Sequence, residues 1–238
     1  LMHMGYEAQL KHKRNKVFES LKRIGGILNP KVLETVPSDK LSGYRNKAQI
    51  PVREENGQVK IGYYSKNSHR VIESPICIIQ NEIVPEITGM LKSYMEENGV
   101  RAYNENTGEG IVRHILVRNG VCSKELMVCI VINRKFGYMP KNIMELVEEL
   151  SAIDGMKSIS LNYNTRKDNV ILGEGINTIW GGDYISDSMD RFDFRISPLS
   201  FYQINPEQAI KMYKKAVEFA GLTGSETVVD AYSGIGTV

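Results

Sequence analysis

The residues with the clearest chemical potential stand at the end of the chain. An apolar pair, Val228-Val229, leads to Asp230 and then to two glycines one residue apart, Gly234 and Gly236. The first strand of a doubly wound sheet is apolar on both faces because helices cover both. The glycines after such a strand let the backbone approach a bound nucleoside and present N–H groups to it. The pattern predicts this first strand and a ligand-binding turn.

Several ligands suit a glycine turn of this kind. A dinucleotide site requires a third glycine and a later acidic residue, and a phosphate-binding loop requires a Gly-Lys-Ser/Thr sequence. Both sets of positions fall beyond Val238, so the turn alone leaves both ligands open. The carboxylate of Asp230 and the ring of Tyr232 favour a cationic, adenosine-bearing ligand such as S-adenosylmethionine, because a carboxylate repels a pyrophosphate.

A second informative stretch precedes a predicted helix. Asn205 is a favourable N-cap and Pro206 suits a first helical position, which predicts a helix that ends at Ala220. The corner before it, Ser200–Gln203, is expected to be exposed beside the nucleotide site. There the Gln203 amide offers both donors and an acceptor to adenosine or a carboxylate. The alternative is that the two aromatic residues of this corner are core and Gln203 only caps a turn.

The three cysteines are scattered along the chain. Cys77, Cys122 and Cys129 form no C-x-x-C pair and no Cys/His cluster, and they are too few for a disulfide framework. A reducing cytoplasm therefore fits this chain. From spacing alone, Cys77 in its apolar run is predicted to be a small core residue rather than a metal ligand.

Charge is distributed unevenly. Residues 1–80 carry 14 basic against 7 acidic side chains, whereas residues 81–238 carry 16 against 21. A basic front half suggests an anionic partner, with nucleic acid the first candidate, although a solvated surface gives the same pattern. No apolar run approaches the length of a membrane span, so we expect no membrane partner.

Periodicity predicts a mixture of helices and antiparallel hairpins. Helices are expected over 6–24, 82–98 and 140–150, the first with basic residues around its polar face. Hairpins are expected at Asn56-Gly57 and Asn119-Gly120. Around the first hairpin, aromatic and basic residues interleave. Single-stranded RNA recognition uses this combination, since rings stack on bases and cations hold phosphates, but a plain sheet with a polar face looks similar.

Taken in order, these motifs resemble the uracil-5-methyltransferases of ribosomal and transfer RNA, which use S-adenosylmethionine. The resemblance runs almost from end to end, and the long central domain is similar to that of the ribosomal branch. It is carried by Gln9-Leu10 with Lys13 and Val17, Arg23–Gly26, Tyr44–Lys47 with Pro51-Val52, Val112–His114, Asn164–Arg166, Ile196–Pro206 and Asp230–Thr237.

The resemblance implies specific site residues. Gln203 and Tyr232 match family positions that bind S-adenosylmethionine, and the glycine loop of the family matches the turn near the end of this chain. With the carboxylate that precedes that turn, the expected cofactor-binding residues are Gln203, Asp230, Tyr232, Gly234, Gly236 and Thr237. Cys77 matches the last of four cysteines that hold a four-iron–four-sulfur cluster in some members. The resemblance thus reverses the interpretation from spacing, with the other three ligands expected before Leu1.

The implied reaction is transfer of a methyl group to C5 of uridine in ribosomal RNA. In this family a cysteine thiolate adds to C6 of uracil, C5 takes the methyl group, and a base removes the C5 proton. The uracil must leave its stack to be reached. Nucleophile and base are both expected beyond Val238, so no catalytic residue is assigned and the chain alone is expected to be inactive. Two alternatives are an RNA-binding module with a purely structural glycine turn and a dinucleotide-dependent oxidoreductase.

The expected fold class is an α+β central domain followed by the start of an α/β Rossmann-like methyltransferase domain. We divide the chain into an N-terminal helix at 1–26, an α+β RNA-binding domain at 27–185 and the beginning of the cofactor-binding domain at 186–238. Because Val238 falls where the helix after the glycine turn should begin, the last domain is expected to be truncated.

Overall fold

The computed structural model describes residues 1, 3–74 and 76–237. The chain forms two compact units, Leu1–Leu41 and Ser42–Val238. The helices are α1 (Tyr6–Arg23), α2 (Val84–Asn98), α3 (Ile143–Ser151) and α4 (Pro206–Ala220). The strands are β1 (Lys47–Glu55), β2 (Gln58–Ile61), β3 (Tyr63–Tyr64), β4 (Val71–Ile72), β5 (Val112–Asn119), β6 (Leu126–Ile132), β7 (Met156–Tyr163), β8 (Gly175–Gly181), β9 (Ile185–Met189) and β10 (Phe192–Ile196). The domain boundaries at 26 and 185 stay predictions.

The first unit is α1 and the irregular segment that follows it. None of the described side chains of α1 is buried, and its basic residues are exposed. The segment is fixed to the helix by hydrogen bonds: Thr35 Oγ1 donates to the Leu10 carbonyl (3.0 Å) and Arg14 Nε donates to the Val32 carbonyl (3.1 Å). The helix predicted over 6–24 is confirmed.

The second unit is built on a six-stranded sheet with the order β2-β1-β5-β6-β7-β8. All neighbouring pairs are antiparallel except β6 and β7, which are parallel and are joined through α3. A parallel pair needs such a crossover, because a short turn only joins antiparallel strands. The mixed sheet and its helices agree with the predicted α+β class.

The side chains of β6 alternate between the two faces of the sheet, and each face carries its own apolar cluster. Val128, Ile130 and Ile132 face α2 and α3, and they belong to the larger apolar cluster. Met127 points to the other face and joins a smaller cluster from β9, β10, the loop after β10 and α4. Every residue of β6 is buried, because the strand lies in the middle of a sheet that is covered on both faces.

Both predicted hairpins form, but only the first has the turn that its sequence suggests. Asn56 (φ 55°) and Gly57 (φ 75°) take the left-handed conformation of a two-residue turn between β1 and β2. The connection after Asn119 is longer and runs over 120–125 before β6 begins. A buried carboxylate, Asp187, holds it open by accepting hydrogen bonds from three of its backbone N–H groups.

Strands β8, β9 and β10 carry weak sequence signals and were not predicted. The edge strand β8 is half-buried or exposed throughout, so it shows no apolar alternation. In β9 the inward positions are Ile185, Asp187 and Met189, and the buried aspartate interrupts the period-2 pattern.

The prediction of a strand at Val228-Val229, near the end of the chain, is wrong. Residues 227–230 have no strand structure, and Val228 and Val229 are exposed. A strand needs a neighbour for its backbone hydrogen bonds, and none of the residues described in this chain offers one there.

One buried histidine makes stability depend on pH. Burial, followed by the positive charges of Arg53 and Arg113, lowers the pKa of His114 from 6.5 to about 3, despite the opposing charge of Glu105. The unfolded chain therefore binds more protons than the folded chain between pH 6.5 and 3. Folding stability is fully present above pH 6.5 and is lost as the pH falls toward 3.

We expect His114→Gln to flatten this acid dependence. In the wild type, the free energy of unfolding should decrease by up to about 1.4 kcal/mol per pH unit below pH 6.5 from this residue alone. Urea unfolding of both proteins between pH 7 and about 4 measures the difference. The exposed His12 in a His12→Gln variant is the matched control and should follow the wild type. An unchanged slope in His114→Gln would contradict the assignment.

Candidate cofactor site

The loop between β10 and α4 is attached to the central sheet by two residues. Asn46 donates twice, from its backbone N–H to the Ile204 carbonyl (3.0 Å) and from Nδ2 to the Gln203 carbonyl (2.9 Å). Arg118 of β5 lies opposite Lys47, the residue after Asn46, and its Nη2 donates to the carbonyl oxygens of Pro198 and Ser200. Both anchoring side chains are buried. The backbone that carries Gln203 is therefore fixed to β5 and to the segment that leads into β1.

The side chains of this loop alternate between solvent and core. Phe201 is 68% exposed, Tyr202 is 2% exposed and Gln203 is half-buried. The predicted exposed corner is therefore right for Phe201 and wrong for Tyr202, because successive side chains of an extended segment point to opposite sides. The Tyr202 ring packs against Phe194 with 5.8 Å between ring centroids.

Asp187 fixes the loop through a hydrogen bond to the buried side chain of Tyr202. Its carboxylate accepts hydrogen bonds from the N–H groups of Val121 (3.0 Å) and Cys122 (2.9 Å) and from the hydroxyl of Tyr202 (3.3 Å). Burial, and then the nearby carboxylate, raises the pKa of Tyr202, so this hydroxyl stays protonated and continues to donate. The aspartate thus joins the β5–β6 connection, β9 and the residue next to Gln203.

The predicted N-terminus of α4 is confirmed. The Asn205 side chain accepts a hydrogen bond from the Gln208 N–H at 3.1 Å, and Pro206 occupies the first turn. The helix ends at Ala220, before Gly221 in the left-handed conformation (φ 59°). The loop with Gln203 therefore enters a helix whose start is fixed by its own cap.

The glycine turn packs on the same helix. Gly234 (φ 57°) and Gly236 (φ 75°) are left-handed, a conformation that strains any residue with a Cβ. Ile235 contacts the smaller core cluster, and Thr237 Oγ1 lies 3.2 Å from the hydroxyl of Tyr213 on α4. The turn and the Gln203 loop are thus attached to one helix.

The acidic and aromatic residues of the turn face solvent. Asp230 is exposed, and its Oδ1 accepts a hydrogen bond from the N–H of Tyr232 at 3.3 Å, while the Tyr232 ring is 99% exposed. Within residues 203–237, no hydrogen bond links the Gln203 side chain to Asp230, Tyr232 or Thr237. The structure brings the glycine turn and the Gln203 loop to α4 but leaves their polar side chains apart.

Cys77 lies in a different place, in a cavity of about 520 Å³ that Tyr63 and Gln80 also line. Burial first, and then Cys77, raises the pKa of Tyr63 to about 12. Within the described ranges, no group of three or more His, Cys, Asp or Glu side chains is arranged to hold a metal ion. Cys122 and Cys129 are free cysteines elsewhere in the unit, the first exposed and the second buried. These residues alone do not fit an iron–sulfur cluster.

Sequence reasoning missed the residues that anchor the site. Asn46 lies just before β1 and is buried, and its bonds to residues 203 and 204 are long-range. Asp187 had a detectable signal, since it is a charged residue between the inward-facing Ile185 and Met189, whereas Arg118 shares β5 with other polar residues, among them Arg113 and His114. Their partners could not be read from spacing.

Comparison with known proteins shows similarity along the whole chain. A protein named as an uncharacterized RNA methyltransferase from Halalkalibacterium halodurans is 41% identical over 238 residues, which is 100% of this chain and 52% of that protein. A similarly named protein from Clostridium acetobutylicum is 40% identical over 240 residues, again 100% of this chain and 52% of its own length. No family model matches the chain. The chain spans about half the length of these curated relatives.

A solved structure is also similar. The tRNA (uracil-54, C5)-methyltransferase of Pyrococcus abyssi, in complex with S-adenosyl-L-homocysteine, matches with a TM-score of 0.77 and 29% identity. The match covers 99% of this chain and 53% of that one. The resemblance to RNA methyltransferases and the predicted fold class are confirmed, whereas the iron–sulfur branch receives no support. In the part of the chain that the structure describes, no helix is long and apolar enough to cross a membrane.

We expect Asn46→Ala to loosen the Gln203 loop. The substitution removes the side-chain donor to the Gln203 carbonyl, which should lower the free energy of unfolding by about 1–2 kcal/mol. Chymotrypsin cleavage at the exposed Phe201 should also become faster. Asn169→Ala is the control, because Asn169 is exposed in the loop after β7 and its loss should cost less than about 0.5 kcal/mol. Equal losses in the two variants, with unchanged cleavage, would contradict the anchoring role.

Proposed function

We propose that the chain is part of an enzyme that methylates C5 of uridine in RNA, because its whole length is similar to part of known RNA methyltransferases. The observation that carries the proposal is the match to a solved uracil-C5 methyltransferase with its cofactor product bound, at 29% identity over 99% of this chain. The curated relatives, at about 40% identity, are named for RNA methylation without a stated base. Following the resemblance to the ribosomal branch, we infer ribosomal RNA as the substrate and the cytoplasm as the location.

The proposed cofactor residues are those on the two segments that pack on α4. Bound S-adenosylmethionine would supply the methyl group from its sulfonium centre. The left-handed Gly234 and Gly236 leave the backbone free of side chains, so a ligand can approach the N–H groups of the turn. Asp230 offers a carboxylate to a cationic ligand, Tyr232 offers an exposed ring, and Gln203 offers an amide on a fixed backbone. Thr237 completes the proposed set.

The described cysteines fit structural roles better than that of a nucleophile. Burial raises the pKa of Cys129 to about 11, which disfavours the thiolate that would attack C6 of uracil. Cys122 is exposed on the β5–β6 connection, where its N–H is bound to Asp187. We therefore assign to this chain cofactor binding and RNA binding, and assign the addition at C6 and the proton removal at C5 to the whole protein.

The function is tested with the full-length protein, S-adenosylmethionine and transcripts of ribosomal and transfer RNA. We expect 5-methyluridine in ribosomal RNA, identified by nucleoside mass spectrometry. If 5-methyluridine forms only in transfer RNA, the reaction is right and the substrate is wrong. Methylation only at other positions, or none with either RNA, would overturn the proposal.

The role of Gln203 is tested by binding of S-adenosylhomocysteine. Gln203→Ala should weaken binding by about tenfold or more, because a hydrogen bond to a charged group contributes about 1.5–3 kcal/mol. Gln58→Ala removes the same group from an exposed site on β2 and is the control. Calorimetry gives both dissociation constants, and equal values for the two variants would remove Gln203 from the site.

A cluster at Cys77 stays a prediction of the family resemblance. It requires three further thiolates, which the described residues do not place there. Iron and labile sulfide are measured in the full-length protein purified without oxygen, beside Cys77→Ala. A cluster lost on substitution would support the prediction, and an iron-free wild type would return Cys77 to a structural role.

A further inference from the structure

We propose that Arg45, Lys47 and Arg118 form a binding site for one phosphate group of the RNA backbone, beside the loop that carries Gln203. The inference rests on the proposed RNA methyltransferase function and names one contact through which the substrate is held.

The register of the sheet places two of these cations directly against each other. Lys47 of β1 pairs with Arg118 of β5 in the antiparallel ladder. Like charges at directly opposed positions destabilise a sheet. The effect is visible in Lys47, because burial first, and then the charges of Arg118 and Arg45, lower its pKa to about 8. Arg118 has a structural role through the carbonyl oxygens of Pro198 and Ser200, but a second cation directly opposite it opposes folding.

The three cations lack the acidic partners that usually accompany buried charge. Among the ion pairs of residues 3–74 and 76–237, none involves Arg45, Lys47 or Arg118. The Nε atoms of Arg45 and Arg118 are buried without a hydrogen-bond partner. More than about 90% of buried polar groups in proteins have a partner, so two orphan donors beside an unpaired ammonium call for an acceptor. An anion supplies both the charge and the acceptor atoms.

The cluster has a buried floor and an accessible rim. Arg118 is 2% exposed, and the carbonyl oxygens of Pro198 and Ser200 hold its guanidinium in place. Arg45 and Lys47 are half-buried, so their side chains reach the surface. A fixed guanidinium beneath a lysine and a second arginine suits a phosphate, whose oxygens accept several charged hydrogen bonds at once.

An RNA phosphate fits the position better than the carboxylate of the cofactor. A phosphodiester and the cofactor carboxylate each carry one negative charge, but an RNA backbone repeats its phosphates along a basic surface, whereas the cofactor brings a single carboxylate. The cluster lies in the first, basic third of the chain, apart from Arg118, whose bonds tie it to the Gln203 loop. A phosphate bound there would place its nucleotide near the proposed cofactor residues.

The test compares Lys47→Gln with Lys157→Gln, which removes the same charge from an exposed site on β7. The full-length proteins are titrated with a single-stranded RNA of about 30 nucleotides at salt concentrations from about 50 to 200 mM. Binding of S-adenosylhomocysteine and the melting temperature are measured for each protein. Lys47→Arg keeps the charge and should bind RNA like the wild type.

We expect Lys47→Gln to weaken RNA binding by about tenfold at low salt and to make the slope of log K against log salt shallower by about 0.7. Its affinity for S-adenosylhomocysteine should be unchanged and its melting temperature equal or higher, because a repulsion is removed. A lower melting temperature with unchanged RNA binding would make Lys47 structural. Loss of cofactor affinity alone would assign the cluster to the cofactor carboxylate, and either result overturns the proposal. A wild type that binds RNA with this salt dependence but methylates none contradicts only the proposed function.

Discussion

The two hydrogen bonds from Asn46 to residues 203 and 204 fix the geometry on which the candidate site depends. They tie an extended loop, which makes no strand of its own, to the segment that leads into β1. Arg118 adds a charged anchor to the same loop from β5, and Asp187 holds Tyr202 from the opposite side. Because the anchoring side chains of Asn46, Arg118 and Asp187 are buried, movement of the loop would leave buried polar groups unpaired.

This attachment gives the sheet a second role beside carrying the proposed RNA-binding surface, because the sheet also holds the candidate cofactor loop. Its larger apolar cluster, under α2 and α3, resembles that of any α+β domain and depends on alternating residues of β1, β5, β6 and β7. The opposite face receives the β9–β10 hairpin and α4 around Met127. One strand thus contributes to both cores, through Val128, Ile130 and Ile132 on one face and Met127 on the other.

On the sheet face that carries Met127, charged side chains are buried or half-buried and not fully solvated. His114 is kept neutral at physiological pH by burial and by two arginines, whereas Arg53 finds an acidic partner in Glu105. Among the described residues, Lys47 and Arg118 have no such partner, and the two cations lie opposite each other across β1 and β5, which opposes folding. A fold retains such a pair most readily where a ligand supplies the missing negative charge, which links the sheet to the proposed RNA substrate.

The amino-acid sequence is enough to predict α1, α2, α3 and α4, the hairpins around β1 and β5, and the family resemblance, because these follow from local periodicity, caps and motif order. It did not determine β8 to β10, whose burial comes from distant neighbours, nor the length of the β5–β6 connection, which Asp187 sets. The strand predicted before Asp230 did not form, since apolar residues become a strand only beside a partner. Tertiary structure also decided which polar residues anchor Gln203, because a hydrogen bond between residues 157 positions apart leaves no spacing to read.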